Sequence, residues 1–170
     1  LHRAADVFGH RTALIYEDKE LTWGALRERC VRMADSLVRL GVAKGDTVAI
    51  LAFNTPEMFE SHFSVPLAGA VLNTINTRLD AETIAYILDD GNAKILIVDA
   101  ELTEVAEAAL VKSANKPQII LIHDPHANSK PTTDITAPDY ESVLSAGSAN
   151  FEWVPPENEW SPLSLNYTSG

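Results

Sequence analysis

The sequence predicts an α/β fold, a largely parallel sheet flanked by helices, and three observations predict it. Short β-branched apolar runs recur along the chain. Each run is followed by a stretch with helical spacing, entered through a capping residue and closed by Gly or Pro. The links between them are short. Strand and helix in alternation with short links are the signature of right-handed βαβ crossovers and of a sheet covered on both faces.

Residues 1–8 begin the chain as a short helix, and the β-branched and aromatic content of 12–16 favours a strand. Asp18-Lys19 then turns the chain. Thr22 caps a helix on which Leu26, Cys30, Met33, Leu37 and Leu40 recur at steps of four and three, making one apolar stripe. Gly41 suits the position just past its end. Lys44-Gly45-Asp46 turns into 47–52, an apolar run of the length and composition of a buried parallel strand. Thr55-Pro56-Glu57 is a helix start, with a cap, Pro at the first position and an acid in the first turn. Pro66 is expected to kink or end that helix near Ser64 to Val65. Residues 70–74 read as the next strand. Asp80 caps a helix with Ile84, Ile87 and Leu88 inward, closed by Gly91. Residues 94–98 are a strand, 101–111 a helix and 118–122 a strand. Residues 123–138 lack an apolar period and read as a surface loop. Residues 139–146 form a short helix. Residues 150–162, with three prolines and two tryptophans, are expected to be extended and packed. Residues 163–167 alternate as a last strand that delivers Thr168-Ser169-Gly170.

The 170 residues fit one compact unit, and a 46% hydrophobic content supplies a real core and argues against disorder. The formal charge of −11, from 13 Lys and Arg against 24 Asp and Glu, comes without a basic cluster. A nucleic-acid or anionic-membrane surface is thereby disfavoured. Cys30 is the sole cysteine, so no internal disulfide forms, and its helical position reads as a small core residue. No apolar run approaches the ~18 residues that span a bilayer. The chain opens without Met and without a basic-then-apolar leader, and the expected compartment is the cytosol. The glycosylation sequon at Asn166-Tyr167-Thr168 therefore reads as accidental. Homo-oligomeric assembly is compatible with this composition.

The chain's end carries the chemistry. A strand that runs into small hydroxyl and glycine residues can aim its backbone N–H groups at one point, a concavity that suits phosphate oxygens without net positive charge. Thr168 and Ser169 add hydroxyls, and Gly170 permits φ > 0 and close backbone approach. On these three residues alone an ordinary strand-end turn is the simpler reading. Other candidates are weaker. His123 and His126 stand three apart in a polar loop without further ligands. His62 reads as a hydrogen-bonded helix histidine. Asp89, Asp90 and Glu107 read as exposed helix carboxylates.

The wider string decides between the readings. Residues 159–170, Glu159-Trp160-Ser161-Pro162-Leu163-Ser164-Leu165-Asn166-Tyr167-Thr168-Ser169-Gly170, resemble the approach to the signature loop of the adenylate-forming (AMP-binding) superfamily. That superfamily comprises acyl-CoA synthetases, luciferases and peptide-synthetase adenylation domains. In it the loop continues as Thr-Thr-Gly-x-Pro-Lys-Gly. Leu21-Thr22-Trp23-Gly24-Ala25-Leu26 is similar to the family's first core motif, with Trp23 in place of the usual Tyr and Ala25 in place of Glu. Asn54-Thr55-Pro56-Glu57 and the run from Leu67 to Leu79 match later segments in order and spacing. Residues 60–73 and 165–168 look most like ligases for medium-chain or short, branched or thioether-bearing acids.

The resemblance implies that 1–170 is a partial N-terminal AMP-binding domain, cut at the start of the phosphate-binding loop. It implies an ATP-dependent, AMP-forming acyl-CoA ligase that joins a carboxylic acid, ATP and CoA with the help of Mg²⁺. A free carboxylate is a poor electrophile because attack would have to expel oxide. Transfer of AMP turns that oxygen into a leaving group and releases pyrophosphate, and the CoA thiol then attacks the acyl-adenylate. Only Thr168, Ser169 and Gly170 carry over as site residues, toward the ATP phosphates. The catalytic lysine and adenine site lie downstream in the family, and the fragment alone is expected to be inactive. Two alternatives stand beside this reading: a small non-catalytic α/β binding module, and a fragment of an amino-acid adenylation domain.

Overall fold

A computed structural model describes residues 1–127 and 135–168. Among these, α1 (His2–Phe8) leads into a hairpin of β1 (Thr12–Tyr16) and β2 (Lys19–Thr22). There follow α2 (Trp23–Arg39), β3 (Thr47–Leu51), α3 (Pro56–Leu67), β4 (Val71–Thr74), α4 (Ala81–Asp90) and β5 (Ala93–Asp99). A 3-10 turn (Ala100–Leu102), α5 (Thr103–Lys112), β6 (Gln118–Ile122), α6 (Tyr140–Ala146) and β7 (Ser164–Leu165) complete the order.

Strands β3 to β7 form one five-stranded sheet in the order β6-β5-β3-β4-β7, parallel throughout. Alternate residues of each strand face opposite sides, and the two sides make two cores. Val48, Ile50, Leu72, Ile95, Ile97 and Ile120 pack with α2, α3 and α6. Ala49, Leu51, Leu96, Val98 and Leu121 pack with α4 and α5. Every residue of β3 is buried, as expected of a strand covered on both faces. The fold class read from the sequence is therefore the one observed.

The caps behave as the sequence suggests. Thr22 Oγ1 accepts from the Ala25 N–H at 3.2 Å, and Asp80 Oδ1 accepts from the Thr83 N–H at 2.8 Å. Cys30 is fully buried in the α2–α3 core, and burial pushes its thiol pKa up.

Several expectations are corrected. Lys19 is the first residue of β2 rather than part of the turn; the chain turns at Glu17 (φ 50) and Asp18, and the tip pairs Tyr16 with Lys19. A four-residue strand with the single apolar residue Leu21 has no period to read. Helix α3 runs through Pro66 to Leu67. Proline withholds one N–H, but in the last turn the helix is closed instead by the Ala68 N–H on the Ser64 and Val65 carbonyls, both at 3.1 Å. The helix expected at 101–111 starts with the 3-10 turn. Residues 150–162 are not extended throughout, since 157–161 turn with the Ser161 N–H on the Asn158 carbonyl at 3.2 Å, and they are only partly packed. Val154 N–H bonds the Leu67 carbonyl at 2.8 Å, whereas Trp160 is 92% exposed. The last strand is regular only at Ser164–Leu165.

Candidate functional site

In open parallel sheets, ligands gather beyond the carboxyl ends of the strands. Thr168 lies there, exposed, three residues past the end of β7. Ser169 and Gly170 lie outside the described residues, as do residues 128–134 of the predicted surface loop.

Strand β7 joins the sheet through two register pairs with β4, Leu72 with Ser164 and Asn73 with Leu165, and through the Leu72 N–H on the Leu163 carbonyl at 3.0 Å. Side chains continue the attachment where the ladder stops. Thr74 Oγ1 donates to Asn166 Oδ1 at 3.2 Å. The Tyr167 phenol donates to Asp90 Oδ2 at 2.7 Å and meets the Tyr86 ring edge to face. Burial and the Asp90 carboxylate push the Tyr167 phenol up to about 12, so it stays protonated and donating. Gly91 sits close beneath this corner. A Cβ there would lie 3.2 Å from Asn73 Nδ2 and 3.3 Å from Leu165 Cδ2.

The weaker sequence candidates are placed as follows. His62 is exposed on α3 with Nδ1 2.9 Å from the Met58 carbonyl. His126 Nε2 lies 3.1 Å from Asp18, and Asp124 accepts from the Tyr16 phenol, so this loop fastens the hairpin to the end of β6. Asp89 accepts from the Ser113 hydroxyl at 2.6 Å and from the N–H groups of Ala114 and Asn115. Those bonds hold its carboxyl below the usual range. Asp89 is an exposed helix carboxylate, as the sequence suggests, that also anchors the loop at 113–115, and the exposed Asp90 is likewise engaged by Tyr167. Glu107 is exposed.

Two buried acids escape sequence reading. Glu60 on α3 is fully buried, bonded by Arg29 of α2 and Tyr140 of α6. Asp99, at the carboxyl end of β5, is 1% exposed and caps the 3-10 turn by accepting from the Glu101 N–H at 3.0 Å. Burial pushes the carboxyl of each up. A cavity of about 310 Å³ between the hairpin and the start of α3, lined by Leu14, Met58 and Phe59 among others, shares no residue with the β7 corner.

The sequence profile of the family described as AMP-binding enzyme matches residues 1–170. The chain belongs to the AMP-binding enzyme family. This family member is 39% identical over 175 residues to a 2-methylpropanoate–CoA ligase of Humulus lupulus, a match that takes in 100% of this chain and 32% of that protein. It is 43% identical over 179 residues to a peroxisomal butyrate–CoA ligase of Arabidopsis thaliana, covering 100% of this chain and 31% of the other. Among solved structures it resembles an anthranilate CoA ligase in complex with anthranoyl-AMP, at a TM-score of 0.87 and 25% identity over 99% of this chain and 31% of that one. The chain thus spans about a third of the length of the relatives it matches. The five-stranded parallel sheet of this AMP-binding family member is the N-terminal part of the adenylate-forming fold.

Proposed function

We propose that this chain is the N-terminal segment of an ATP-dependent, AMP-forming acyl-CoA ligase. The observation that carries the reading is the family match along the whole chain, with CoA ligases as the relatives across the same residues. In the reaction, a carboxylate oxygen of the acid attacks the α-phosphorus of ATP, and pyrophosphate leaves. The CoA thiol then attacks the acyl carbonyl, giving thioester, AMP and a proton.

The share assigned to this segment is phosphate binding by Thr168, Ser169 and Gly170. Hydroxyl and backbone N–H donors there would meet the charge that grows on the departing pyrophosphate, as preorganised donors do in other sites. The position of Thr168 past a strand's carboxyl end supports that assignment. Among the described residues no group of three or more His, Cys, Asp or Glu side chains could hold a metal ion. Mg²⁺, which the family resemblance implies, would accompany the nucleotide and share the charge that develops on the departing pyrophosphate.

We infer a short, straight or branched aliphatic acid as the substrate class, since relatives are named for 2-methylpropanoate and butyrate. Among the described residues no helix is long and apolar enough to cross a membrane. The cytosol was the expectation from the sequence and the butyrate ligase is named as peroxisomal, so fractionation of the tagged full-length protein decides between the two compartments.

ATP–pyrophosphate exchange tests the activity. A full-length protein carrying this segment is expected to exchange with short aliphatic acids, and the 170-residue chain alone is expected to show none. Silence of the full-length protein across a broad acid panel would sink the ligase reading.

A further inference from the structure

Tyr167 is held more firmly than its strand. Only Ser164 and Leu165 lie in the ladder of β7, and two residues of edge pairing hold a chain end poorly. The residue that meets its phenol is oddly placed. Asp90 ends α4, whose last turn has no basic residue, and a carboxylate there faces the negative end of the helix dipole. Asp89, its neighbour, is compensated by the donors of 113–115. Asp90 is compensated by the Tyr167 phenol at 2.7 Å. Tyr86 and Asp90 are four apart and share one face of α4, and the Tyr167 ring lies across that face, 6.2 Å from the Tyr86 ring at 82°. From the opposite side, Thr74 holds Asn166. The two residues before Thr168 are thus tied to two different elements, while Thr168 itself is exposed.

We propose that Tyr167 and Asp90 are a positioning pair that fixes where and in what direction the chain leaves β7 toward the ATP phosphates. Neither touches the nucleotide. They set the origin of the segment that does, so that the Thr168 hydroxyl arrives in register rather than searching for it. The inference rests on the phosphate-loop reading above. Its cost and benefit are separable, because the phosphates of the departing pyrophosphate matter to adenylation but not to thioester formation.

The experiment uses the full-length enzyme and follows both half-reactions separately. Tyr167→Phe keeps the ring against Tyr86 and removes the donor; Asp90→Ala removes the acceptor. Each is expected to lower kcat/KM for ATP in pyrophosphate exchange by about threefold to tenfold, the worth of one hydrogen bond. The double variant should lose no more than either single, because the two act through one bond. KM for the acid, and the rate of thioester formation from preformed acyl-adenylate and CoA, should stay unchanged. Thr168→Ala is measured alongside. If Thr168→Ala is impaired while Tyr167→Phe and Asp90→Ala keep parental exchange, the positioning role is wrong and the phosphate loop stands. Loss of both half-reactions together would mark a general structural lesion and overturn the proposal, as would additive losses in the double variant. If Thr168→Ala itself is unaffected, the phosphate-loop reading falls and this inference with it.

Discussion

Arg29 on α2 and Glu60 on α3 form a buried ion pair, with guanidinium Nη2 3.2 Å from carboxylate Oε2, and α6 closes over it through Tyr140 and Glu141. The Tyr140 phenol donates to Glu60 Oε2 at 3.1 Å, and Arg29 Nη1 donates to Glu141 Oε2 at 2.9 Å. One guanidinium therefore joins three helices on one face of the sheet. Burial pushes the Glu60 carboxyl up, and the Arg29 and Tyr140 bonds offset that only in part.

Replacing Arg29 with Met should therefore destabilise the fold in a pH-dependent way. An uncompensated buried carboxylate costs about 3–5 kcal/mol. The variant's Glu60 moves further up and takes a proton instead. Between the ordinary carboxylate range and that raised value, the folded state holds a proton that the unfolded chain has released, so stability falls as pH rises through the window. Urea unfolding at about pH 5 and about pH 8 should show the larger deficit, relative to the parent, at the higher pH. A deficit that does not change with pH would mean that Glu60 stays charged without Arg29.

Gly147 and Gly41 separate two reasons for glycine. At Gly147 the φ is an ordinary −81°, but a Cβ would lie 1.9 Å from the Arg32 carbonyl oxygen, where α6 docks on α2. At Gly41 the space is open and the φ is +94°. Gly41→Ala should cost about 1–2 kcal/mol, the penalty for a left-handed L-residue. Gly147→Ala should cost more, about 3 kcal/mol or above, because backbone must move and the Ser36 Oγ to Val143 carbonyl bond (2.6 Å) shifts with it. Equal midpoints for the two variants in a denaturant titration would refute the distinction.

How much of this was legible follows from where each signal is stored. Strands β3 to β6 declare themselves because a parallel strand buried on both faces is a continuous apolar run, and their helices carry caps at Thr22, Asp80 and Asp139. The family resemblance rested on contiguous strings, and the whole-chain match agrees with it. β2 was illegible because its pairing partner, not its pattern, makes it a strand. Trp160 was expected to pack because tryptophan usually does, but nothing in residues 150–162 says which ring turns inward. The polar contacts were illegible for a stronger reason. Glu60 and Arg29 are 31 residues apart, Glu60 and Tyr140 80, Asp90 and Tyr167 77, and each reads alone as an ordinary helix or strand residue. Thr168 lies three residues past the short last strand, and Thr168, Ser169 and Gly170 are all assigned to the phosphates by resemblance.

Cys30 should be chemically silent in the folded protein. Its thiol is fully buried, 3.7 Å from the Glu60 carbonyl oxygen, and its raised pKa leaves little thiolate. An alkylating reagent should label it only after denaturation. Labelling of the native protein at the rate of the unfolded chain would place the thiol at the surface and contradict the α2–α3 packing.

Residues 168–170, the proposed phosphate-binding loop, are tested most directly in the full-length protein. Thr168 leaves the sheet exposed, from a strand end held by Asn166 and Tyr167. Gly170→Val should hurt adenylation severely, because a β-branched residue resists φ > 0 and keeps the backbone from approaching the phosphates. Thr168→Ala should be milder. Removing one preorganised donor costs about 10²-fold in rate where that donor acts mainly in the transition state, and under the proposed assignment Ser169 and the backbone would share the load. Neither change should alter which acid is preferred, because the acid and the departing pyrophosphate lie on opposite sides of the phosphorus under attack. Pyrophosphate exchange with ATP and several acids varied in turn measures both effects. Near-parental adenylation in Gly170→Val, or a changed acid preference with ATP use intact in either variant, would move the phosphate site away from residues 168–170.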